Sequence, residues 1–512
     1  MSKRAAADYY GITRVRDSLF HFLFGKAFSA IATLTIVVIV IRELRITEYA
    51  IYATLTALVI FLRLLTSFGV NSTLLRFLPD LRVVGNNRST YMLLLVGLLL
   101  RAILYIVPAG LLLYWAGDAI AGLLKLDDWS WILGLYLVVG FFRIMALFTA
   151  AALESLLWQK QSQYSIAAAT LLRLLGVLYL VAAEDLNLQT LVILELATEA
   201  LALLFLVVSA LVKWWQDPDR RAGTLETLRQ DAGRYARFSG WAYLFNLTTV
   251  THGSAPNRLI VSHMLGPATT ALFGAIDRLI QFAKQYEPVK LLMGLFRPVF
   301  NAQYRSREDY PKIMAMGDGM FRLNLVVLML PLLPIAVAGE YVFSLLTAGK
   351  YADASNLFMG FYLVLVLASF MLVLELLVKA VEHTRIFVVS NLVLSGSALA
   401  AWPFLDTAGL WALVVAMTVG QLAAILIVVR YLDHFHFPVR IRWSEVGKIC
   451  VAMMLAVAAG LAASLAALHP VAVILLAYLV YAACILKWMP FTAEEQDLFK
   501  QMFLKKLGKD VA

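Results

Sequence analysis

Ten basic side chains stand inside stretches that are otherwise apolar: Lys26, Arg63, Arg101, Arg143, Arg173, Arg258, Arg278, Lys284, Lys290 and Arg322. Acids in comparable positions are fewer, namely Glu195, Glu199, Asp277, Glu287 and Glu375. A charge near the middle of a bilayer costs about 2.5–3.5 kcal/mol on insertion scales. A chain retains so many only where they face water, pair with acids or reach toward the membrane surface. Surplus positive charge suits an anionic ligand, and guanidinium groups suit phosphate oxygens through forked hydrogen bonds. Lys26, Arg63, Arg258 and Arg278, followed by Lys284, are the candidate anion ligands. Glu195, Glu199, Asp277 and Glu375 are the candidates for coupling to Na+ or H+. Arg143 and Arg173 have two readings, as cavity wall or as partners of Glu195 or Glu199. Arg101 and Arg322 divide between a structural and a ligand role. Lys290 lies near a helix end and is expected to snorkel. Asp277 and Arg278 are adjacent, so their side chains diverge by about 100° on a helix.

The elements that carry these residues follow from hydropathy. The chain has 512 residues, is 62% hydrophobic and 15% charged, with a mean hydropathy of +0.81. Apolar runs of 18 residues and more are each long enough to span a hydrocarbon core about 30 Å thick. The first run, from about residue 19 to 41, is too long for a signal-peptide core and is expected to stay as a membrane helix. Fourteen helices can be drawn, at about 19–41, 48–70, 91–115, 130–153, 165–183, 189–212, 240–262, 269–293, 319–338, 355–378, 386–404, 409–430, 449–468 and 470–488. Lys and Arg number 29 in the N-terminus, the even-numbered connections and the C-terminal tail, against 4 in the opposite connections. The asymmetry predicts both termini on the cytoplasmic side.

Sparse charges also expose an internal repeat at a shift of 221 residues. Leu44 and Ala50-Ile51-Tyr52 recur as Leu265 and Ala271-Leu272-Phe273. Arg63 then meets Lys284, Arg76 meets Arg297, Arg101 meets Arg322 and Glu154 meets Glu375, whereas Arg143 meets Val364. Six helices per copy is an even number, so both copies keep one orientation in the membrane. The expected division is a six-helix bundle over 1–215, a cytoplasmic linker over 216–238, a second bundle over 239–432, two further helices over 433–490, and a tail over 491–512.

The seventh predicted helix is unusually polar, with Asn246, Thr248, Thr249, Thr251, His252, Ser254, Asn257 and Arg258. Such a helix lines water or another helix, and Pro256 is expected to kink it. His252 is read as a hydrogen-bonded wall residue before a proton carrier. In the tail, Thr492 and Glu495 form a capping box. Beyond them Leu498, Phe499, Met502, Phe503 and Leu507 share a face, with lysines nearby, as in a helix lying on the membrane surface; a solvated helix is the alternative. No phosphate-binding glycine loop or metal-spaced His/Cys cluster occurs, and Cys450 and Cys484 lie in apolar helices. No enzyme activity, cofactor or nucleic-acid partner is expected.

The stretch Arg42-Glu43-Leu44-Arg45-Ile46-Thr47-Glu48-Tyr49-Ala50-Ile51-Tyr52 resembles the Arg-x-Leu-Gly-Pro-x-x-Tyr-Gly-x-Tyr stretch of the polysaccharide and O-antigen flippases, with Arg45, Ile46 and Ala50 as departures. These flippases belong to the multidrug/oligosaccharidyl-lipid/polysaccharide (MOP) exporter superfamily. The second copy supplies Leu265-Gly266-Pro267, and Gly69 with Arg76-Phe77-Leu78-Pro79 is similar to the ending of the family's second helix. The resemblance implies an all-α polytopic membrane protein of 14 transmembrane helices: two pseudo-symmetric six-helix bundles around a central cavity, plus two C-terminal helices.

As function it implies flipping of a polyprenyl-diphosphate-linked oligosaccharide across the bacterial inner membrane, for O-antigen or exopolysaccharide synthesis. Membrane lipid is an implied partner, as are a glycan polymerase and chain-length proteins. Related lipid II flippases hold the diphosphate with basic residues on helices 1, 2 and 8, where Lys26, Arg63 and Arg278 stand here. Their last two helices help form a groove for the polyprenyl tail. Two alternatives stand beside this reading. A cation-coupled drug exporter of the same superfamily would tend to carry acids in its early helices, which are absent here. A glycan polymerase or ligase would need a large outer loop.

Overall fold

The computed structural model describes residues 12–123, 130–250, 252–291, 310–381, 383, 385–492 and 495. Its elements are helical, in the order α1 (Ile12–Glu43), α2 (Ile46–Leu65), α3 (Val70–Val83), α4 (Asn87–Leu123), α5 (Ser130–Ser155), α6 (Gln159–Ala182), α7 (Leu188–Gln216), α8 (Glu226–Val250), α9 (Ser254–Gln285), α10 (Tyr310–Thr347), α11 (Ser355–Ala380), α12 (Ile386–Ala401), α13 (Leu410–His434), α14 (Trp443–Leu465) and α15 (Pro470–Trp488). Among the described residues, 13 helices are long and apolar enough to cross a membrane. Apolar sequence outside water forces this choice, because only a helix satisfies every backbone polar group within its own segment.

The breaks between helices depart from the expected ones in two places. The second span, drawn to residue 70, ends at Leu65, and a separate helix α3 follows. Gly69 caps α3 at φ 72°, and a Cβ there would stand 2.0 Å from the Ser239 carbonyl oxygen. Only glycine accepts both the left-handed backbone and this approach of α8. Next, the seventh span is not one helix over 240–262. Its polar run breaks between α8 and α9, and α8 starts upstream with charged residues, so it is not among the 13 apolar helices. Pro256 therefore sits in the first turn of α9, where a missing N–H costs nothing, and does not make the kink expected of it. The non-helical residue in α9 is Gly266, at φ 79° and ψ −179°, within the connection expected between the seventh and eighth spans. Gly266 is the repeat mate of Arg45, whose extended backbone (φ −61°, ψ 155°) separates α1 from α2. Both copies thus interrupt the helix at the same repeat position.

The chain divides into two compact units, Met1–Gly274 and Ala275–Ala512. In the first, α1 packs on α6, and α5 and α6 both pack on α7, while α4 joins α3 and α5. Helix α8 lies along α2 and α3: Phe68 stacks on Tyr243 at 4.7 Å, and Phe77 meets Tyr235 at 4.6 Å. The connection after α7 is strapped to the turn between α3 and α4. Asp217 accepts from Arg82 at 2.5 Å and from Tyr91 at 2.8 Å, and the Thr224 carbonyl accepts from Ser89 at 2.6 Å and Asn86 at 3.0 Å.

Burial would raise the Asp217 carboxyl, but the hydrogen bonds from Arg82 and Tyr91, with the charge of Arg82, outweigh it and hold the group below the usual range. A depressed carboxyl stabilises the strap at neutral pH and loses that contribution as pH falls through its folded value, below about 4. Hydrogen exchange over 217–225 is expected to quicken there, and to quicken at neutral pH in Asp217→Asn. Unchanged exchange in that variant would show that the ion pair does not hold the strap.

In the second unit α10 packs on α11, α14 and α15, and α13 bridges α11 and α12. The two C-terminal helices thus seat on α10. Arg322, fully buried, donates to Asp318 at 2.9 Å, to Glu495 at 2.6 Å and to the Pro490 carbonyl. Arg442, in the connection after α13, approaches Asp318 at 3.5 Å and Glu495 at 3.7 Å, while Tyr310 donates to the Phe437 carbonyl at 3.0 Å. The Thr492–Glu495 capping box is present, with contacts of 2.8 and 3.3 Å. Residues 496–512, which carry the expected surface helix, lie outside the described residues, as does Arg297.

Candidate functional site

Among the described residues of the first unit, four arginines and two glutamates lie within electrostatic reach of one another. They come from α2 (Arg63), α4 (Arg101), α5 (Arg143), α6 (Arg173) and α7 (Glu195, Glu199). Spacing four apart puts both acids on one face of α7. Arg143 reaches both acids, with Nη2 3.0 Å from Glu195 and Nε 2.7 Å from Glu199. Arg173 lies 2.8 Å from Glu199 and 3.9 Å from Glu195, and its Nε donates to Thr198 at 2.9 Å. Tyr52 and Tyr136 donate to Glu195 at 2.8 and 3.1 Å, and Tyr136 contacts Thr56 at 3.0 Å. Of the two readings of Arg143 and Arg173, the geometry is that of partners for both glutamates. Such a network offsets much of the cost of burying these ions.

Arg101 is satisfied differently. It is 3% exposed and donates to the Thr66 carbonyl and hydroxyl and, at 2.9 Å, to the Arg63 carbonyl. These carbonyls end α2, so the guanidinium caps the negative pole of that helix. Its repeat mate Arg322 ties Asp318 and the start of the tail instead. Both are structural, by different contacts.

Arg63 is the exception. Its half-buried guanidinium makes no hydrogen bond or ion pair among the described residues. Its charged neighbours are Arg143 and Arg101, both cations. Four positive and two negative charges leave an excess, and Arg63 is where that excess has no carboxylate.

The other sequence candidates are dispersed. Lys26, on α1, lies within electrostatic reach of Glu154, which accepts from Gln163 at 2.6 Å and Ser162 at 3.1 Å. Arg258 is 1% exposed on α9 and donates to the Ala53 carbonyl of α2 at 3.1 Å, a place within helix packing. In the second unit Arg278 is half-buried and Lys284 exposed. Asp277 is buried and accepts from Gln281 at 3.1 Å, and Glu375 pairs with Lys379 one turn on. Glu287, buried at 3%, accepts from Asn324 at 3.2 Å. Sequence reasoning missed Tyr52 and Tyr136 as donors to Glu195. Tyr52 lay in the motif quoted for the resemblance, but its hydroxyl carries no signal until α7 is placed beside it. It also missed the two straps, because Asp217 and Arg442 look like ordinary loop charges.

The helical, many-spanned architecture of the described residues, with a charged centre buried among apolar helices, defines a polytopic membrane protein. Solved structures of flippases and MOP-superfamily transporters share this fold. The lipid II flippase MurJ in an inward closed conformation matches with a TM-score of 0.63 at 11% identity, over 90% of this chain and 97% of that one. A multidrug resistance MATE family transporter of the MOP superfamily, facing inward, matches with a TM-score of 0.62 at 12% identity, over 79% and 94%. An outward-facing MATE family transporter gives 0.53 at 12%, over 85% and 98%. No family model and no curated protein sequence matches.

Proposed function

We propose that this protein moves a polyprenyl-diphosphate-linked oligosaccharide from the inner to the outer leaflet of a bacterial inner membrane by alternating access. One observation carries the reading: among the described residues, the charged neighbours of Arg63, deep in the first unit, are cations, while the acids of that centre are taken by Arg143 and Arg173. A diphosphate supplies the missing negative charge with oxygens that match a guanidinium fork. The same surplus disfavours a cationic drug, which would need net negative charge there. Lys26, Arg258, Arg278 and Lys284 are proposed as further ligands, and Asp277 and Glu375 as ion-coupling acids, each testable singly by neutralisation. Both termini and the Lys213–Arg237 connection are proposed to be cytoplasmic, and a glycan polymerase with chain-length proteins to receive the product.

The test is a vesicle assay. Purified protein in liposomes should expose a fluorescent polyprenyl-diphosphate oligosaccharide to a glycosidase added outside, faster than protein-free vesicles do. A rate equal to the protein-free control, together with export of a cationic dye, would overturn the reading. External labelling of a cysteine placed in 213–237 in intact cells would overturn the orientation.

A further inference from the structure

Near the ends of α1 and α6 the two helices leave a groove of about 480 Å³ between them. Its walls are Leu34, Val38 and Ile39 of α1 with Leu178 and Val181 of α6. Thr35 also lines it, but its hydroxyl donates to the Ile31 carbonyl at 2.9 Å and so spends its polar atom within the helix. Exposed apolar residues continue from the groove along the same two helix faces. Ile31 stands one turn before Thr35, and Leu175 and Leu171 stand one and two turns before Leu178.

Both helices are long and apolar enough to span a membrane, so this wall lies at the level of lipid chains. At its mouth the lining changes to Arg42 and Glu43, the last residues of α1. Charges at the end of a span stand at headgroup level. The surrounding charge is mixed in the same way: Arg45 follows α1, and Glu184 and Asp185 follow α6. A purely anionic headgroup would meet carboxylates here as well as guanidinium groups. A headgroup carrying a phosphate and a primary ammonium finds a partner for each. Guanidinium has five N–H donors, so Arg42 can serve a phosphate alongside its other contacts. A carboxylate only accepts, which suits an ammonium with N–H groups to give.

We propose that the α1–α6 groove is a site for an ethanolamine phospholipid, with its phosphate on Arg42, its ammonium on Glu43 and one acyl chain between the helices. The site is separate from the Arg63 centre in its residues and in its ligand, and it does not depend on what the protein transports. A chain in the groove adds apolar contacts to α1 and α6 together. The bound lipid therefore stabilises that helix pair, as any ligand of the folded state does.

Native mass spectrometry of the full-length protein, stripped of lipid in detergent, tests this with three dioleoyl lipids added singly. Phosphatidylcholine keeps the positive charge but has no N–H to give Glu43, and phosphatidylglycerol has no cation. One phosphatidylethanolamine should be retained at about tenfold lower concentration than either, the difference that one charge-assisted contact makes. In Glu43→Gln that preference should disappear while phospholipid is still bound, and Arg42→Gln should weaken all three. Val38→Trp should fill the groove and remove the retained lipid whatever its headgroup. Equal retention of the three lipids by the wild type would overturn the headgroup assignment. Tighter retention of phosphatidylglycerol would overturn it in favour of an anionic occupant. Retention undiminished in Val38→Trp would overturn the groove as the site. The comparison among lipids uses the wild-type protein, so the proposal stays falsifiable even where a variant does not fold.

Discussion

Arg63→Gln is expected to abolish glycan flipping while the yield and melting temperature of the purified protein stay close to wild type. The expectation follows from what the side chain does not touch: no carboxylate or carbonyl among the described residues is left unsatisfied by its removal. Removing a cation that repels Arg101 and Arg143 relieves like-charge repulsion, so stability should hold or rise slightly. Transport should instead fall by two orders of magnitude or more, since a hydrogen-bonded ion pair lost from a desolvated site costs about 3 kcal/mol. Arg63→Lys keeps the charge but not the fork, and should retain an intermediate rate. Vesicle flipping and thermal melts on the same preparations decide the matter. A large drop in folded yield for Arg63→Gln would make the residue structural, and full transport would remove it from the site.

Arg143→Gln should do the reverse. It strips Glu195 and Glu199 of their shared cation and leaves both to Arg173. Breaking a buried ion network from one side costs about 3–5 kcal/mol, mostly the penalty of the stranded charge. Folded protein should become scarce and its melting temperature drop sharply. Adding Glu199→Gln removes one stranded acid and should recover much of the loss, because neutralising both partners spares the uncompensated charge. A single variant as stable as wild type, or a double variant no better than the single, would mean that the network does not carry stability. Two arginines that are neighbours thus have opposite expected phenotypes, and the difference comes entirely from their partners.

How far these partners were legible in sequence varies with the residue. Long apolar runs located most membrane helices, since length and hydropathy suffice for that. Pairing of Arg143 and Arg173 with Glu195 and Glu199 was open as one of two readings, because the acids were few and four residues apart. Choosing between the readings required α5, α6 and α7 to be packed. The break between α8 and α9 was hidden because polar residues were read as a wall, when they also supply the hydrogen bonds that let a chain leave helical geometry. Likewise α3 was invisible as an element. Its amphipathic sequence is too polar to register as a span, and Gly69 was read as the end of one helix when it is also the start of the next.

The two straps bear on whether the two units can exchange segments. In the first unit the connection after its long helices supplies the acid, Asp217, to a basic helix end, Arg82. In the second unit the order is reversed, and the connection supplies the base, Arg442, to an acid on the helix, Asp318. Both halves tie down the same kind of segment, yet with opposite polarity. Their connecting segments are therefore not interchangeable parts. A graft of 217–225 into the second half would set carboxylate against carboxylate, and the reciprocal graft would crowd guanidinium on guanidinium. Charge order, invisible to any comparison of shape alone, keeps each half faithful to its own connection.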